Sequence, residues 1–268
     1  MNKAAQRNHF FNERPPVRRD CSVSVVVPTK DEAGNIFGTV ERLPSLGTHT
    51  EILFVDGHST DGTIEQIHKV MAAYPEKDIK LMTQSGKGKA NAVFEAFDAA
   101  QGDLFMILDS DLTVAPEELT QFYNLYAEGR ADFLNGCRLI YPMEKGAMRF
   151  LNWIANHLFA AVFSFMVGFR IKDTLCGTKA ISRESYRRLK AKHEDLGQMD
   201  PFGDFDLILG AAGMGLRVLD VPVHYRARRC GNVKIRRFAD GFRLVKMLTS
   251  IFYREDSRYE RTSGSGYL

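Results

Sequence analysis

Through the first half of the chain, short unbroken apolar runs alternate with longer amphipathic stretches. VSVVVPT at 23–29 is β-branched, ends at a proline-threonine pair, and is too short for a buried helix, so it predicts a buried strand. AGNIFGTVERLPSL then has helical spacing as far as Leu43. EILFVDGHSTDGT repeats the device: a strand to Val55, a polar turn, and a helix TIEQIHKVMAAY in which Ile64, Ile67, Val70 and Met71 recur along one face. A strand at IKLMTQ, a Gly-Lys loop, a helix ANAVFEAFDAA and a strand at LFMIL complete the pattern. Strands alternating with helices predict an α/β fold on a mostly parallel sheet, whose ligands bind beyond the carboxyl ends of the strands. The polar clusters around Asp31, Asp56 and Asp109 all fall at such ends.

After DFLNGCRLIYP the pattern changes to longer apolar helices and basic loops. FLNWIANHLFAAVFSFMVG at 150–168 approaches spanning length, but Asn152, Asn156 and His157 would be uncompensated in lipid, which argues against a true span. FADGFRLVKMLTSIFY at 238–253 is an amphipathic helix of the kind that lies on a membrane. No linker or internal repeat divides the chain. Residues 21–254 read as one domain, 21–140 its ligand-binding half and 141–254 an extension of it. A flexible polar arm at 1–20 precedes it and a polar tail at 255–268 follows.

A length of 268 residues with 44% hydrophobic content accommodates a large α/β core. The net charge of +3 is only mildly basic and gives no indication of nucleic acid. Cys21, Cys137, Cys176 and Cys230 are scattered, so neither a zinc site nor a disulfide framework is expected and a reducing cytosol fits them. The arm lacks the apolar core of a secretory signal, and no apolar run follows Tyr253, so membrane contact is expected to be peripheral.

The chemistry concentrates where LFMIL runs into Asp109, Ser110 and Asp111. Two readings compete for this pair: a helix cap ahead of Pro116, Glu117 and Glu118, or two hard oxygen ligands for Mg2+ or Mn2+ carried by a diphosphate. Asp56 and Asp61 fit Asx turns, and Asp56 also suits hydrogen bonds from a base or ribose. SGKGKANA at 85–92 reads either as a solvated turn or as a loose phosphate loop.

Taken together, VVVPTKDEAGNI, VDGHSTDGT, GKGKANA, LDSDL and DTLCGTKAISRESY, in this order and spacing, resemble the inverting family 2 glycosyltransferases. The likeness is to the polyprenyl-phosphate branch, similar to dolichol-phosphate mannose synthase, and covers roughly 22–252. It implies the A-type glycosyltransferase fold, a Rossmann-like sheet flanked by helices with amphipathic C-terminal helices, and a nucleotide-sugar donor, a hexose carried on GDP or UDP with the base left open. By the resemblance, Pro28, Thr29, Glu32 and Asp56 cradle the nucleoside, Lys87 and Gly88 lie in the donor loop, and Asp109 and Asp111 sit at the metal and diphosphate. Asp111 is expected to ligate the metal directly, with Asp109 touching ribose or reaching the ion through water. Two positions depart from the family pattern, Asp31 where Asn is frequent and Gly57 where a second Asp is frequent.

The resemblance leaves the acceptor open between a polyprenyl phosphate and a hydroxyl on a glycan or small metabolite. A phosphate monoester is already ionised at neutral pH and needs cations rather than a general base. Arg149, Asn152 and Asn156 form a polar stripe on the apolar helix; Arg170, Lys172 and Lys179 follow it, and Arg226, Arg228, Arg229, Lys234, Arg236 and Arg237 come later. Arg228 and Lys234 best match the family residues that face the phosphates. A basic surface beside amphipathic helices suits anionic lipid at the cytoplasmic face of a membrane. The competing account of the apolar helices is core or a homo-oligomer interface. Asp204 and Asp206 are the candidate bases for a hydroxyl acceptor. A non-catalytic nucleotide-sugar or membrane-binding module is the remaining alternative.

Overall fold

The computed structural model describes residues 20–144, 146–148, 150–192, 200 and 203–230. A seven-stranded sheet runs in the order β3-β2-β1-β4-β6-β5-β7. Its strands are β1 (Val23–Thr29), β2 (Thr50–Asp56), β3 (Asp78–Thr83), β4 (Leu104–Ile107), β5 (Phe133–Cys137), β6 (Lys179–Ser182) and β7 (Val218–Pro222). The helices are α1 (Ile36–Arg42), α2 (Thr63–Ala73), α3 (Lys89–Ala99), α4 (Leu119–Ala127), α5 (Phe150–Val167), α6 (Arg183–Lys192) and α7 (Asp204–Gly213).

β1 is central to the 21–140 half, paired in parallel with β2 on one side and β4 on the other. Its apolar run is buried on both faces because alternate residues feed opposite layers. Val25, Val27 and Phe54 pack with Phe122 on one face, and Val26, Leu53 and Phe105 with Phe205 on the other. The chain winds from β1 out to β3, then returns to place β4 on the opposite side of β1. That reversal opens a crevice beyond the carboxyl ends of β1 and β4, the expected place for a ligand.

β6 is antiparallel to both β4 and β5, whereas β5 and β7 are parallel. The strand β6 was not anticipated: it is four residues long and carries a buried lysine, so neither length nor pattern marks it. α5 rests on α7, with Phe159 and Phe163 tilted against Phe205 at ring-centroid distances of 5.7 and 4.4 Å. Its other face is bare, with Phe150, Leu151, Leu158 and Phe165 all more than half exposed. The objection to a span changes accordingly: Asn156 is not uncompensated, because it turns inward and donates to Asp173 Oδ1 at 2.7 Å. α5 is the one helix among the described residues long and apolar enough, by composition, to cross a membrane, yet one face is seated on the protein. Lys145, Arg149, Lys234, Arg236, Arg237 and the amphipathic segment at 238–253 lie outside the described residues.

Candidate active site

Three loops ring the crevice, and each holds a non-glycine residue at positive φ: Asp31 (46°) after β1, His58 (61°) after β2 and Leu112 (58°) after β4. L-residues pay roughly 1–2 kcal/mol there, so strain gathers where the strands end. The first two loops are knitted to each other. Asp31 N donates to Ser59 Oγ at 2.9 Å and Asp31 Oδ1 accepts from Thr60 N at 2.8 Å. Asp61 likewise accepts from Ala33 N and Thr63 N. The Asp31 carboxylate thus has a local structural task, and Gly57 packs against Lys30 and Thr29, its N donating to Thr29 O at 2.7 Å.

Thr29 and Glu32 are buried beside Asp56, which is fully buried, and the Pro28 carbonyl accepts from Ser110 Oγ at 3.1 Å. That last bond ties the end of β4 to the end of β1. Lys87 is exposed on the loop between β3 and α3, and Gly88 at φ 92° and ψ 163° turns the chain into α3 in a conformation suited to glycine.

Neither acid of the Asp109–Asp111 pair caps the following helix. The turn at Pro116–Glu118 has Ala115 as its N-cap with no side-chain cap bond. Asp111 Oδ1 instead closes an Asx turn, accepting from Thr113 N at 3.0 Å and Thr113 Oγ1 at 2.7 Å. Asp109 Oδ1 lies 2.6 Å from Lys89 Nζ. Burial alone would raise the Asp109 pKa, but Lys89, with Arg138 and Lys179 behind it, holds it below its ordinary value. Burial opposes the charge on Lys89 as well, yet Asp109 and Asp204 drive its pKa upward. Gly177 packs against this ion pair so closely that a Cβ there would overlap both Asp109 Oδ2 and Lys89 Nζ.

The loop after β7 reaches the same place from the other half of the molecule. Arg226 N donates to the Thr113 carbonyl at 2.8 Å, pinning the loop to the acidic segment. Two residues on, Arg228 Nη2 donates to Asp111 Oδ2 at 2.6 Å and Nη1 to Glu32 Oε1 at 2.8 Å. Burial would lower the Arg228 pKa, but Asp111 and Glu32 raise it, so the guanidinium stays charged.

Behind this contact lies a second buried pair. Arg138 clamps Asp173 through Nε at 2.8 Å and Nη2 at 2.9 Å and sits over the Tyr225 ring at 5.0 Å. Burial would push Asp173 up, but Arg138 and its neighbouring donors bring it down to about 2.

The acceptor-side residues divide. Asn152, Arg170 and Lys172 are exposed and Asp206 is half-buried. Lys179 departs from the expected solvent-facing cation: it is 1% exposed inside β6, bonded to Asn135 Oδ1 at 3.0 Å and to the Cys176 carbonyl. Asp204 is buried and ion-paired with Lys179 at 3.2 Å, which removes it from the role of an accessible base. The proposed stripe of Asn152 with Asn156 is not a stripe, because Asn156 faces the core while Asn152 faces solvent.

Sequence reasoning passed over Lys89, Arg138 and Asp173. A signal existed for Lys89: a cation at the first position of a helix opposes the helix dipole and asks for a compensating anion. Arg138 follows the buried strand β5 directly, as Asp109 follows Leu108.

The donor set suits a hard divalent cation delivered with a diphosphate. Asp111 offers a carboxylate oxygen beside Asp109, and among the described residues no group of three or more His, Cys, Asp or Glu assembles a site unaided. Diphosphate oxygens and water would complete the coordination.

A mostly parallel sheet with an Asp-Ser-Asp segment at its reversal point defines the A-type glycosyltransferase fold. Glycosyl transferase family 2 matches residues 24–190, and the chain belongs to that family. It is 30% identical over 212 residues to Glycosyltransferase AglJ of Haloferax volcanii, covering 79% of this chain and 65% of that one. A Dolichyl-phosphate hexose transferase of the same organism is 29% identical over 239 residues, covering 88% and 96%. Of the first three relatives, the chain spans only 65%, 53% and 59% of their length. Mannosyltransferase PcManGT from Pyrobaculum calidifontis, in complex with GDP-Man and Mn2+, superposes with a TM-score of 0.60 at 20% identity, covering 94% of this chain and 70% of that one.

Proposed function

We propose that the chain transfers a hexose from a nucleoside-diphosphate sugar to a polyprenyl phosphate, using Mg2+ or Mn2+, at the cytoplasmic face of a membrane. The observation that carries this reading is Arg228, a cation from the acceptor half that reaches Asp111 and Glu32 of the donor half. The relative that acts on dolichyl phosphate, aligned over nearly its whole length, supports the acceptor.

In this reading Asp111 would hold a divalent cation brought in with the donor, and such an ion would supply charge neutralisation for the departing nucleoside diphosphate. Asp109, kept ionised by Lys89, supports that position from the side. Arg228 leaves Asp111 as the donor binds and turns to the acceptor phosphate. No general base is required, because the attacking phosphate oxygen already carries charge. The pairing of Asp204 with Lys179 weighs against a hydroxyl acceptor that would need that carboxylate as base.

The test is transfer measured across a panel of nucleotide sugars, with and without extracted polyprenyl phosphate. Asp111→Asn should lower transfer by about 100-fold or more while the protein stays folded. Full activity of that variant in Mg2+ or Mn2+ would end the metal role. Arg228→Ala should cost far more activity than Asp206→Asn; the opposite ranking would favour a hydroxyl acceptor.

A further inference from the structure

α6 carries positive charge that the transfer reaction leaves unused. Its sequence, RESYRRLKAK, sets five cations, Arg183, Arg187, Arg188, Lys190 and Lys192, against one acid, Glu184. Tyr186 and Leu189 are buried and fasten the helix to the core, while Arg187, Arg188, Lys190 and Lys192 are exposed. Lys190 pairs with Asp98 at 2.6 Å, and Arg183 Nε donates to the Gly102 carbonyl at 2.7 Å. Arg187, Arg188 and Lys192 form no ion pair among the described residues. Arg183 with Arg187 and Arg188 with Lys192 set like charges four residues apart, which works against the helix. Lysines in the last turn answer the helix dipole, but arginines in the middle have no such reason. A solvated surface ordinarily intersperses both signs, so this run calls for an anion from outside the chain.

Two further observations say which anion. α6 and α5 pack on the same helix. Leu189 lies so close to Gly210 of α7 that a Cβ there would overlap it, and Phe163 of α5 stacks within 4.4 Å of Phe205 of α7, between ring centroids. Phe163, Leu189 and Phe205 share one core layer. The outer surface of that layer therefore presents bare apolar side chains on α5 and unpaired cations on α6. An apolar strip beside a basic one suits anionic lipid, whereas an acidic protein would use the charge alone. Where α6 meets α3 and β4, a cleft of about 80 Å³ is floored by Phe97, Phe105 and Tyr186 and edged by Arg183, Arg187 and Lys190. Its cationic rim and aromatic floor fit a headgroup phosphate and the glycerol attached to it.

We infer that α6 is a second membrane contact, binding the phosphates of anionic phospholipids through Arg187, Arg188 and Lys192. A single apolar helix face leaves the protein free to roll about that helix, and a charged second contact fixes its orientation. The inference rests on the proposed membrane-side acceptor and names the lipid charge that the protein reads.

Co-sedimentation of the full chain with vesicles of phosphatidylcholine alone, and with phosphatidylglycerol added, tests it without relying on turnover. Each positive charge near an anionic surface is worth roughly fivefold in binding, so Arg187→Gln, Arg188→Gln and Lys192→Gln combined should weaken binding to the anionic vesicles by about 100-fold. Binding to phosphatidylcholine alone, which the apolar face of α5 would hold, should stay within about twofold. Glu184→Gln, which removes the one acid of the helix, should strengthen anionic binding by about fivefold. All four side chains are exposed, so the melting temperature should hold in both variants. An unchanged preference for anionic vesicles in the triple variant would overturn the inference. So would a native dimer that the triple variant loses in sedimentation, which would assign these cations to a second copy of the chain. If the native chain binds neither vesicle, the membrane reading falls together with it, so the two failures are told apart.

Discussion

Arg228 stands between Glu32 and Asp111, 2.8 and 2.6 Å from their carboxylate oxygens, at the position proposed for the divalent ion's carboxylate ligand. Arg228 occupies Asp111 Oδ2 with a full positive charge, so a metal ion on that oxygen has to approach against it and the two compete for Asp111. Asp109 is no substitute, being committed to Lys89 at 2.6 Å. Mn2+ without nucleotide should therefore bind weakly to the native chain. Arg228→Gln, which keeps a hydrogen-bond donor but removes the charge, should bind Mn2+ about tenfold more tightly, because a full positive charge a few ångströms from the ion is gone. The spin-resonance signal of free Mn2+ reports this directly. Adding Asp111→Asn should erase the gain; equal Mn2+ affinity in Arg228→Gln and the native chain would refute the competition.

At the scale of elements, Asp173 joins three of them. It sits in the loop before β6, clamps Arg138 at the end of β5, and holds Asn156 of α5 at 2.7 Å. Asp173→Asn would leave a buried guanidinium without its counter-ion, and a loss of about 3–5 kcal/mol is expected in urea unfolding. The pH dependence follows from the same pair. The folded pKa of Asp173 is about 2 against an ordinary 3.8, so its contribution is fully present above the ordinary value and disappears as pH falls through the folded one. Stability of the native chain should drop between about pH 4 and pH 2, and the drop should be shallower in the variant. Little of this network could be read from sequence. The β1 to β4 strands and the helices between them were legible because their apolar residues repeat at a fixed period, and Asp109 stood out by ending one such run. Asp173, Arg138 and Asn156 belong to segments 17 and 35 residues apart, and only the antiparallel insertion of β6 brings them together. Lys179 misled for the same reason, since a lysine in a basic stretch reads as solvent-facing until β6 is known to be central.

For the whole molecule, the outer face of α5 departs furthest, among the described residues, from an ordinary α/β surface. Phe150, Leu151, Leu158 and Phe165 are 72%, 68%, 63% and 82% exposed, while the inner face is fastened to Asp173 and α7. Arg170 and Lys172 are exposed just beyond the helix, which pairs apolar surface with positive charge. That combination suits an anionic lipid surface, where the proposed polyprenyl-phosphate acceptor would lie with its phosphate toward Arg228. The seat of α5 runs through Asp173 to Arg138, whose guanidinium covers Tyr225, three residues from Arg228. Replacing Leu151, Leu158 and Phe165 by Gln leaves the core intact, so the melting temperature should hold. Each of these side chains gains roughly 1.5–3 kcal/mol on full burial, and even half of that over three residues predicts about a 50-fold or greater loss of binding to anionic vesicles. Transfer to a short-chain, water-soluble prenyl phosphate should stay within about twofold, because Asp111 and Arg228 are untouched. If vesicle binding were unchanged, α5 would not be the lipid-facing surface. Loss of a dimer in sedimentation would then assign the same face to a second copy of the chain.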